Sequence, residues 1–222
     1  MSAMNVAVIG GGGHSKVIID ILEKMGGMRI VGIVDANLPM DQHVLGYEVL
    51  GRDADLCRLI SDRGIQGLVM AIGDNWRRSR IVASIQSICP TIEFPNAIHP
   101  SAELAKNVHL GIGSVFMAGC VVNSEAAIGN FCILNTNCSV DHDGKVGDFA
   151  SFAPNSCAGG AVKVGDFTAV CLGANIIDRL TIGSHTVVGA GATVLCDLPS
   201  HVVAYGTPAR IVRSRSAEDP YL

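Results

Sequence analysis

The sequence predicts a small α/β domain followed by a parallel β-helix, and three observations predict this fold class. Every sixth residue from Ile98 to Val194 is apolar without a break. Glycines recur every 18 residues from Gly111 to Gly183, a spacing of three hexads. Before about residue 96 these periods vanish, and short apolar runs alternate with amphipathic segments. A fixed repeat is typical of a solenoid, whereas alternating strands and helices are typical of a parallel sheet.

The N-terminal pattern predicts a strand, a glycine loop and an amphipathic helix in succession. Residues 4–9 form a short apolar run, residues 10–13 are all glycine, and apolar residues then recur at helical spacing. The same reasoning predicts further strands over residues 29–34 and 68–72 and helices over residues 53–63 and 77–88. A proline-containing linker follows, so we place the domains at residues 1–96 and 97–222.

Within the solenoid, each hexad is predicted to form one flat side of a triangular coil of 18 residues. A second row, four residues after each large apolar position, consists mostly of small residues that also point inward. The recurring glycines predict one corner of successive coils, where a tight turn suits a residue without Cβ. Phe131, Phe149 and Phe167 share the 18-residue spacing and predict an aromatic ladder along one edge.

Composition narrows the classes of function. The chain has 222 residues and a formal net charge of -4, so it offers no electrostatic reason to bind nucleic acid or an anionic membrane. Its first residues lack the pattern of a secretory signal, which makes the cytoplasm the expected location. The eight cysteines are therefore expected to be reduced, and Cys120, Cys132 and Cys138 fall on the small inward row. No CxxC pair is present, and no metal site is expected.

The glycine loop is the first candidate site. Backbone N–H groups at a helix N-terminus bind phosphate oxygens, and glycine lets such a ligand approach closely. Asp35 follows the second predicted strand, where a carboxylate can accept hydrogen bonds from a ribose. The domain has room for one nucleotide-binding half, which suits a nucleotide sugar better than NAD. The alternative is a tight strand-to-helix turn that needs glycine and binds nothing.

His142 is the second candidate, because it lies between Asp141 and Asp143. A neighbouring carboxylate fixes the tautomer of an imidazole and raises its basicity, as a general base requires. The 18-residue period places Ser124 on one side of His142 and Gly160 on the other, so the wall beside it is nearly bare backbone. The alternative is a surface histidine in a solvated acidic corner.

Several separated motifs resemble one family, the left-handed β-helix sugar acetyltransferases. This family includes sialic acid O-acetyltransferases and the N-acetyltransferases of bacillosamine and perosamine biosynthesis, and the perosamine type resembles the chain most. The motifs, in order, are GGGGHSKV at 10–17, AIGDN at 71–75, NAIHPSA at 96–102, LNTNCSVDHD at 134–143 and YGTPAR at 205–210. The resemblance implies a left-handed solenoid, a homotrimer with active sites between subunits, acetyl-CoA as co-substrate and a nucleotide-sugar acceptor.

The resemblance also implies roles for particular residues. His142 matches the catalytic base and Asp143 its carboxylate partner, with a backbone N–H of the AGGA stretch at 158–161 stabilising the oxyanion. The acceptor is expected to contact the glycine loop, with Asp35 and Asp74 at neighbouring strand ends; this set is Gly10, Gly11, Gly12, Gly13, His14, Asp35, Asp74 and Asn135. The cofactor is expected to contact Gly160, Gly173, Ala174, Ala190, Gly191, Pro208 and Arg210. Arg210, Arg213 and Arg215 are either a CoA phosphate site or a solvated tail.

The predicted reaction is acetyl transfer from acetyl-CoA to the 4-amino group of a nucleotide-linked 4-amino-4,6-dideoxy sugar, by direct attack with His142 as base. Relatives commonly carry a second histidine in a pattern like HLGP, where this chain has Ser151-Phe152-Ala153-Pro154. The alternatives are O-acetylation of a sialic acid-like sugar, a noncatalytic module that binds a nucleotide sugar, and an NAD-binding domain.

Overall fold

The computed structural model describes residues 3–220, which form two compact units. Within these residues, the first unit extends to Gly73 and also contains Arg77–Pro100. The second unit contains Asp74–Trp76 and everything from Ser101 onward.

The first unit is a five-stranded sheet with helices. Its strands are β1 (Met4–Ile9), β2 (Met28–Val34), β3 (His43–Val44), β4 (Tyr47–Gly51) and β5 (Gly67–Met70), in the order β3-β4-β2-β1-β5. Its helical segments are α1 (Gly13–Met25), a 3-10 turn at Asp53–Asp55, α2 (Leu56–Arg63) and α3 (Asn75–Ile88), followed by the short strand β6 (Ala97–Ile98). The first two residues of α3, Asn75 and Trp76, belong to the second unit. Strand β1 lies between β2 and β5 and pairs in parallel with both. The ends of all three strands therefore meet at one edge of the sheet.

The predicted elements of this unit are present, with three differences. The hairpin formed by β3 and β4 is not among the predicted elements, and β4 extends the sheet beside β2. The second predicted helix begins with a 3-10 turn, and the third predicted strand ends at Met70. The core is apolar as the pattern requires, since α1 buries Ile18, Ile19, Ile21 and Leu22.

The second unit is a parallel β-helix of two-residue strands in three sheets. The first sheet contains β7 (Glu103–Leu104), β10 (Val121–Val122), β13 (Ser139–Val140), β16 (Cys157–Ala158), β19 (Asn175–Ile176) and β22 (Thr193–Val194). The second contains β8 (His109–Leu110), β11 (Ala127–Ile128), β14 (Lys145–Val146), β17 (Lys163–Val164) and β20 (Thr181–Ile182). The third contains β9 (Val115–Phe116), β12 (Ile133–Leu134), β15 (Ser151–Phe152), β18 (Ala169–Val170), β21 (Val187–Val188), β23 (Val202–Tyr205) and β24 (Arg210–Ser214). Partners lie 18 residues apart throughout the regular coils, as Val121 and Ser139 do, so the hexad period sets the register.

The aromatic ladder is confirmed and is longer than predicted. The rings of Phe131, Phe149 and Phe167 stack with centroids 5.2 Å apart at each step. His185 continues the stack at 4.5 Å from Phe167, and His201 follows at 4.8 Å from His185. One edge of the solenoid is therefore a continuous column of five flat side chains.

The corner glycines serve a different purpose from the one predicted. Gly129 and Gly147 do not have positive φ, so the turn itself does not require glycine. A Cβ on Gly147 would instead lie 2.7 Å from the backbone nitrogen of Asp166 in the next coil. Glycine is needed there because successive coils approach one another closely.

Many left-handed backbone positions of the β-helix are occupied by residues other than glycine. Phe149 has φ of 58°, Asn155 has φ of 58° and Ala161 has φ of 56°. Asparagine tolerates this region better than most residues, whereas a bulky side chain adopts it only where the surrounding packing compensates. The stacked rings of the ladder supply that packing at Phe149.

The chain ends in a hairpin that the hexad pattern does not reach. Strands β23 and β24 pair antiparallel, and β23 adds to the third sheet beside β21. Arg215 follows this hairpin and is 8% exposed. Its guanidinium donates a hydrogen bond to the carbonyl of His185 at 3.2 Å and another to the carbonyl of Asp219. Arg215 thus anchors the tail, and a CoA phosphate would have to compete with the two carbonyls that its guanidinium already contacts.

Candidate active site

His142 lies at the corner of the β-helix that follows β13, where the first and second sheets meet. Its Nδ1 is 2.8 Å from Oδ2 of Asp143, and its backbone N–H donates to Oδ1 of Asp141 at 2.7 Å. Asn123, one coil earlier, donates a hydrogen bond to the same oxygen of Asp141 at 2.7 Å. Both carboxylates are therefore held in place, Asp143 by the imidazole ring and Asp141 by the backbone N–H of His142.

The surrounding carboxylates tune the histidine as the sequence suggests. The hydrogen bond with Asp143, followed by the charge of Asp141, raises the pKa of His142 above its ordinary value. With Nδ1 engaged by Asp143, the tautomer that carries its proton on Nδ1 is favoured and Nε2 is the basic atom. The His142 side chain is 62% exposed, so a substrate can reach it.

Gly160 makes room for the imidazole. A Cβ at this position would lie 2.6 Å from Nε2 of His142 and 2.7 Å from its Cε1. The glycine therefore leaves the basic edge of the ring against bare backbone. The family resemblance implies cofactor binding for Gly160, and the structure adds that its lack of a side chain leaves space for the predicted catalytic base.

Asp178 is a member of this site that sequence reasoning missed. Its Oδ1 accepts a hydrogen bond from the backbone N–H of Gly160 at 3.0 Å. Its charge also contributes to the raised pKa of His142, although less than those of Asp141 and Asp143. The signal is present in the repeat, since Asp178 lies two 18-residue periods after His142.

Three backbone N–H groups of the AGGA stretch, where the oxyanion donor is expected, already donate hydrogen bonds within the β-helix. The N–H of Gly159 donates to the carbonyl of Ile176, that of Gly160 to Asp178, and that of Ala161 to the carbonyl of His142 at 2.8 Å. These three donors are already used within the coils. Stabilising an oxyanion with any of them would require a hydrogen bond of the scaffold to break.

The glycine loop joins β1 to α1 and combines constrained and open positions. Gly10 has φ of 101°, and a Cβ there would lie 2.7 Å from Cδ1 of Ile72. A Cβ added at Gly12 or Gly13 would meet no atom within 4 Å, and neither residue has positive φ. Neither turn geometry nor packing within the unit thus requires glycine at residues 12 and 13. Open space at the start of a helix is the geometry that suits a phosphate group.

Asp35 orders this loop. One carboxylate oxygen accepts the N–H of Gly11 at 2.7 Å, and the other accepts the N–H groups of Asn37 and Leu38. Burial opposes ionisation of Asp35, but these backbone hydrogen bonds outweigh it and lower the pKa of the carboxyl. The predicted ribose contact would have to share an acceptor that the loop already uses.

Asp35 and Asp74 do not lie at neighbouring strand ends, so that expectation is wrong. Asp35 follows β2, and Asp74 follows the strand β5, with β1 between the two strands. Asp74 belongs to the second unit, where it lines a small recess with Trp76, Phe167 and Arg215.

His14, in the first turn of α1, is neutral at physiological pH. Burial, with a smaller contribution from the charge of Arg78, lowers its pKa to about 4. Its Nε2 is buried and has no hydrogen-bond partner among the described residues. Arg78 is itself buried and donates to the carbonyls of Ile72 and Gly73.

The predicted cofactor residues gather mainly at another corner of the β-helix, between the third and first sheets. Gly173 and Gly191 occupy it in successive coils, with φ of 63° and 66°. The tail closes against this corner, since Thr207 Oγ1 lies 3.4 Å from the carbonyl of Gly191. The remaining predicted cofactor residues of this region are Ala190, Pro208 and Arg210. Asn135, predicted to contact the acceptor, lies at the corresponding turn of an earlier coil.

Ala174 is the exception in this set. It is fully buried on the small inward row, so its side chain fills the solenoid, and a contact with the cofactor would have to be made by its backbone. The first sheet separates the cofactor corner from the corner that carries His142.

The departure at Ser151 has a structural counterpart. Ser151 Oγ accepts a hydrogen bond from Nδ2 of Asn75 at 3.2 Å, and the same amide group lies 3.3 Å from the carbonyl of Phe167. Ser151 thus takes part in a packing contact on the third sheet, away from the corner of His142.

Among residues 3–220, no group of three or more His, Cys, Asp or Glu residues is arranged to hold a metal ion. Over the same residues, no helix combines the length and apolar character needed to cross a membrane.

Comparisons with known proteins bear on both units. Residues 5–85 match the family model described as the PglD N-terminal domain. A curated relative, the UDP-N-acetylbacillosamine N-acetyltransferase of Bacillus subtilis (strain 168), is 33% identical over 116 residues. That match spans about half of each protein, 51% of this chain and 51% of the relative.

Two solved structures match almost the whole chain. A histidine-to-alanine variant of GDP-perosamine N-acetyltransferase from Caulobacter crescentus, in complex with CoA and GDP-perosamine, is 39% identical with a TM-score of 0.89. The match covers 96% of this chain and 99% of that chain. The acetyltransferase domain of PglB from Neisseria gonorrhoeae FA1090, in complex with acetyl coenzyme A, is 30% identical with a TM-score of 0.86, and the match covers 95% of this chain and 100% of that domain. These likenesses confirm the predicted fold class, a Rossmann-like α/β domain followed by a left-handed parallel β-helix.

Proposed function

We propose that the acceptor is the 4-amino group of a nucleotide-linked 4-amino-4,6-dideoxy sugar. The chain belongs to the PglD-type family of acetyl-CoA-dependent sugar N-acetyltransferases. The observation that carries this proposal is the similarity to an enzyme crystallised with CoA and GDP-perosamine. The two sequences are 39% identical, and the match covers 99% of that enzyme's chain. The open positions at Gly12 and Gly13 support a nucleotide-bearing acceptor, because they leave space where a diphosphate can approach backbone N–H groups.

The proposed base is His142. Its Nε2 takes the proton of the acceptor amine as the amine attacks the thioester carbonyl of acetyl-CoA, and thiolate is expelled when the tetrahedral intermediate collapses. Asp143, at 2.8 Å from Nδ1, stabilises the imidazolium that results. The amine attacks directly in this scheme, so no acetyl-enzyme forms.

Acetyl-CoA is proposed to approach from the corner formed by Gly173, Gly191 and the tail. The reacting thioester would then reach His142 across the exposed side of the first sheet, past Asn175 and Cys157. We also propose a homotrimer, in which a neighbouring chain completes each site; sedimentation of the purified protein tests this assembly.

The test of the reaction is release of CoA thiol from acetyl-CoA by the purified protein. The acceptor panel contains GDP-, UDP- and dTDP-linked 4-amino-4,6-dideoxy sugars and a free sialic acid. Release with one nucleotide amino sugar is the expected result and identifies the nucleotide. Release with sialic acid alone would replace N-acetylation by O-acetylation, and binding of a nucleotide sugar without release would favour a noncatalytic module.

A further inference from the structure

Two thiols meet on the surface of the first unit. Cys57 is the second residue of α2, and Cys89 directly follows α3. Their sulfur atoms are 3.0 Å apart, and the Cys57 sulfur also lies 3.6 Å from the carbonyl of Ile88. The two residues are 32 positions apart in the sequence, so the fold rather than local spacing brings them together.

Access to solvent distinguishes this pair from the other close pair of thiols. Cys57 is exposed and Cys89 is partly exposed. Cys120 and Cys138 are 3.8 Å apart, but both are fully buried on the inward row of the solenoid. An oxidant in solution can reach the first pair and not the second.

We propose that Cys57 and Cys89 form a reversible disulfide by exchange with a low-molecular-weight disulfide such as oxidised glutathione. A disulfide bond is about 2.05 Å long, so the sulfur atoms need to approach by about 1 Å. Side-chain rotation on two accessible residues at helix ends supplies a movement of this size without breaking an element of the sheet.

The exchange proceeds in two balanced steps. The Cys57 thiolate attacks one sulfur of oxidised glutathione, forming a mixed disulfide and expelling a glutathione thiolate. Cys89 then loses its proton and attacks the Cys57 sulfur, which expels the second glutathione. Two protein thiols are oxidised and one molecule of oxidised glutathione is reduced to two of the thiol.

The order of attack follows from exposure. Burial, then the contact with Cys57 and its charge, raises the pKa of Cys89 to about 11. Cys89 is therefore a poor first nucleophile, whereas the exposed Cys57 meets the oxidant directly. Once the mixed disulfide is in place, Cys89 is already adjacent to the sulfur it must attack.

The product would close the segment between residues 57 and 89, which carries β5 and α3. A cross-link of this kind restricts the unfolded chain and stabilises the unit that holds it. In a reducing compartment such a pair is expected to be transient and to respond to oxidants rather than to be permanently bonded.

The test uses the full-length folded protein, first reduced and then freed of reductant. After incubation with oxidised glutathione, remaining thiols are alkylated and the protein is digested and mapped by mass spectrometry. The expected result is a Cys57–Cys89 linked peptide that has lost two hydrogens and that dithiothreitol restores. Cys120 and Cys138 should be unlinked and free of glutathione in the same sample, because they are buried.

Two variants complete the test. Cys57→Ser should abolish the linked peptide, and Cys196→Ser, which removes an exposed cysteine of the solenoid, should leave it unchanged. Stable glutathione adducts on Cys57 without a link to Cys89, unreacted thiols at both positions, or links between Cys57 residues of two chains would each overturn the proposal.

Discussion

The imidazole of His142 is constrained at one nitrogen and accessible at the other, which is the arrangement a general base needs. Asp143 engages Nδ1 at 2.8 Å, while the edge that carries Nε2 lies against the bare backbone of Gly160. Asp143 and Gly160 can therefore be tested separately, because Asp143 raises the pKa of the ring and Gly160 leaves space for it.

Removing the charge of Asp143 should lower turnover and shift its pH dependence. In Asp143→Asn a neutral amide replaces the carboxylate, which weakens the hydrogen bond that is the largest cause of the raised pKa of His142 and removes the charge, so the histidine becomes neutral at lower pH. A base works in its neutral form, so the acid limb of the pH–rate profile should move to lower pH. Maximal turnover should fall by about tenfold or more, because the imidazolium loses its partner.

The control for this variant is Asp166→Asn. The Asp166 carboxylate accepts a hydrogen bond from the backbone N–H of Asp148 at 2.8 Å. Asp178 accepts one from Gly160 in the same way, but at a different corner of the β-helix. Its pH–rate profile should match that of the wild type. An unshifted profile in Asp143→Asn would show that the carboxylate does not tune the base.

A methyl group at Gly160 should reduce activity through His142 alone. In Gly160→Ala the new Cβ meets Nε2 at 2.6 Å, and the exposed ring must rotate away from Asp143. Turnover should fall by about tenfold or more. The check is a double-mutant cycle, in which Gly160→Ala has little further effect once His142 is alanine. Equal effects in both backgrounds would assign Gly160 to a different function, such as direct contact with the cofactor.

At the scale of elements, steric fit between coils determines where glycine is needed. Gly147 has ordinary φ but lies under the backbone of the next coil, whereas Gly173 has φ of 63° and open space around it. Glycine can be required by close approach of the next coil or by a left-handed φ. Asparagine distinguishes these two requirements, because it tolerates left-handed φ but still adds a side chain.

Substitution by asparagine should therefore affect the two glycines differently. Gly147→Asn should lower the free energy of unfolding by about 1–3 kcal/mol, since the coils must separate to admit its Cβ. Gly173→Asn should change it by less than about 1 kcal/mol. Urea denaturation followed by circular dichroism measures both. Comparable losses at both positions would mean that backbone conformation, not coil spacing, selects the corner glycines.

The repeat explains which elements could be predicted. The interior of the β-helix admits one large and one small side chain per hexad, so each coil is recognisable in the sequence. The same period allowed Phe131, Phe149 and Phe167 to be placed in a ladder. The ladder continues to His201, which lies 16 residues after His185 and breaks the period. The hairpin of β3 and β4 and the tail strands carry no repeat, and their packing depends on contacts distant in sequence.

The candidate site was likewise predictable only where the repeat determines it. His142, Asp143 and the column that places Gly160 beside them follow from the repeat and the VDHD motif. The roles of the backbone N–H groups could not be predicted, because hydrogen bonding between coils depends on the side chains of other repeats. Asp35 shows the same limit, since its acceptor oxygens are used by three backbone N–H groups of the loops around it.

At the scale of the whole molecule, the first unit should lose stability in acid because it buries His14. The pKa of His14 is about 4 in the folded first unit, against 6.5 when unperturbed. Because the folded pKa is the lower one, the unfolded chain binds the proton more readily. Its contribution to stability is complete above about pH 6.5 and is lost as pH falls towards 4, amounting to about 3 kcal/mol.

His14→Leu should remove this dependence. The variant should lose less stability than the wild type between pH 7 and pH 4, as measured by denaturant unfolding of the full chain. His109→Gln, at an exposed position of the second sheet, is the matched control and should follow the wild type. Identical acid sensitivity in His14→Leu and the wild type would contradict the burial of a neutral histidine in this unit.

The proposed chemistry rests on His142 as the base of acetyl transfer, and one measurement tests that claim most directly. Turnover of acetyl-CoA with the best acceptor is compared in the wild type and His142→Ala, with CoA affinity measured by calorimetry on the same samples. The expected result is turnover lower by about a hundredfold or more with CoA affinity retained, because only proton transfer is lost. A folded His142→Ala variant with nearly normal turnover would contradict the assignment of His142 as the base.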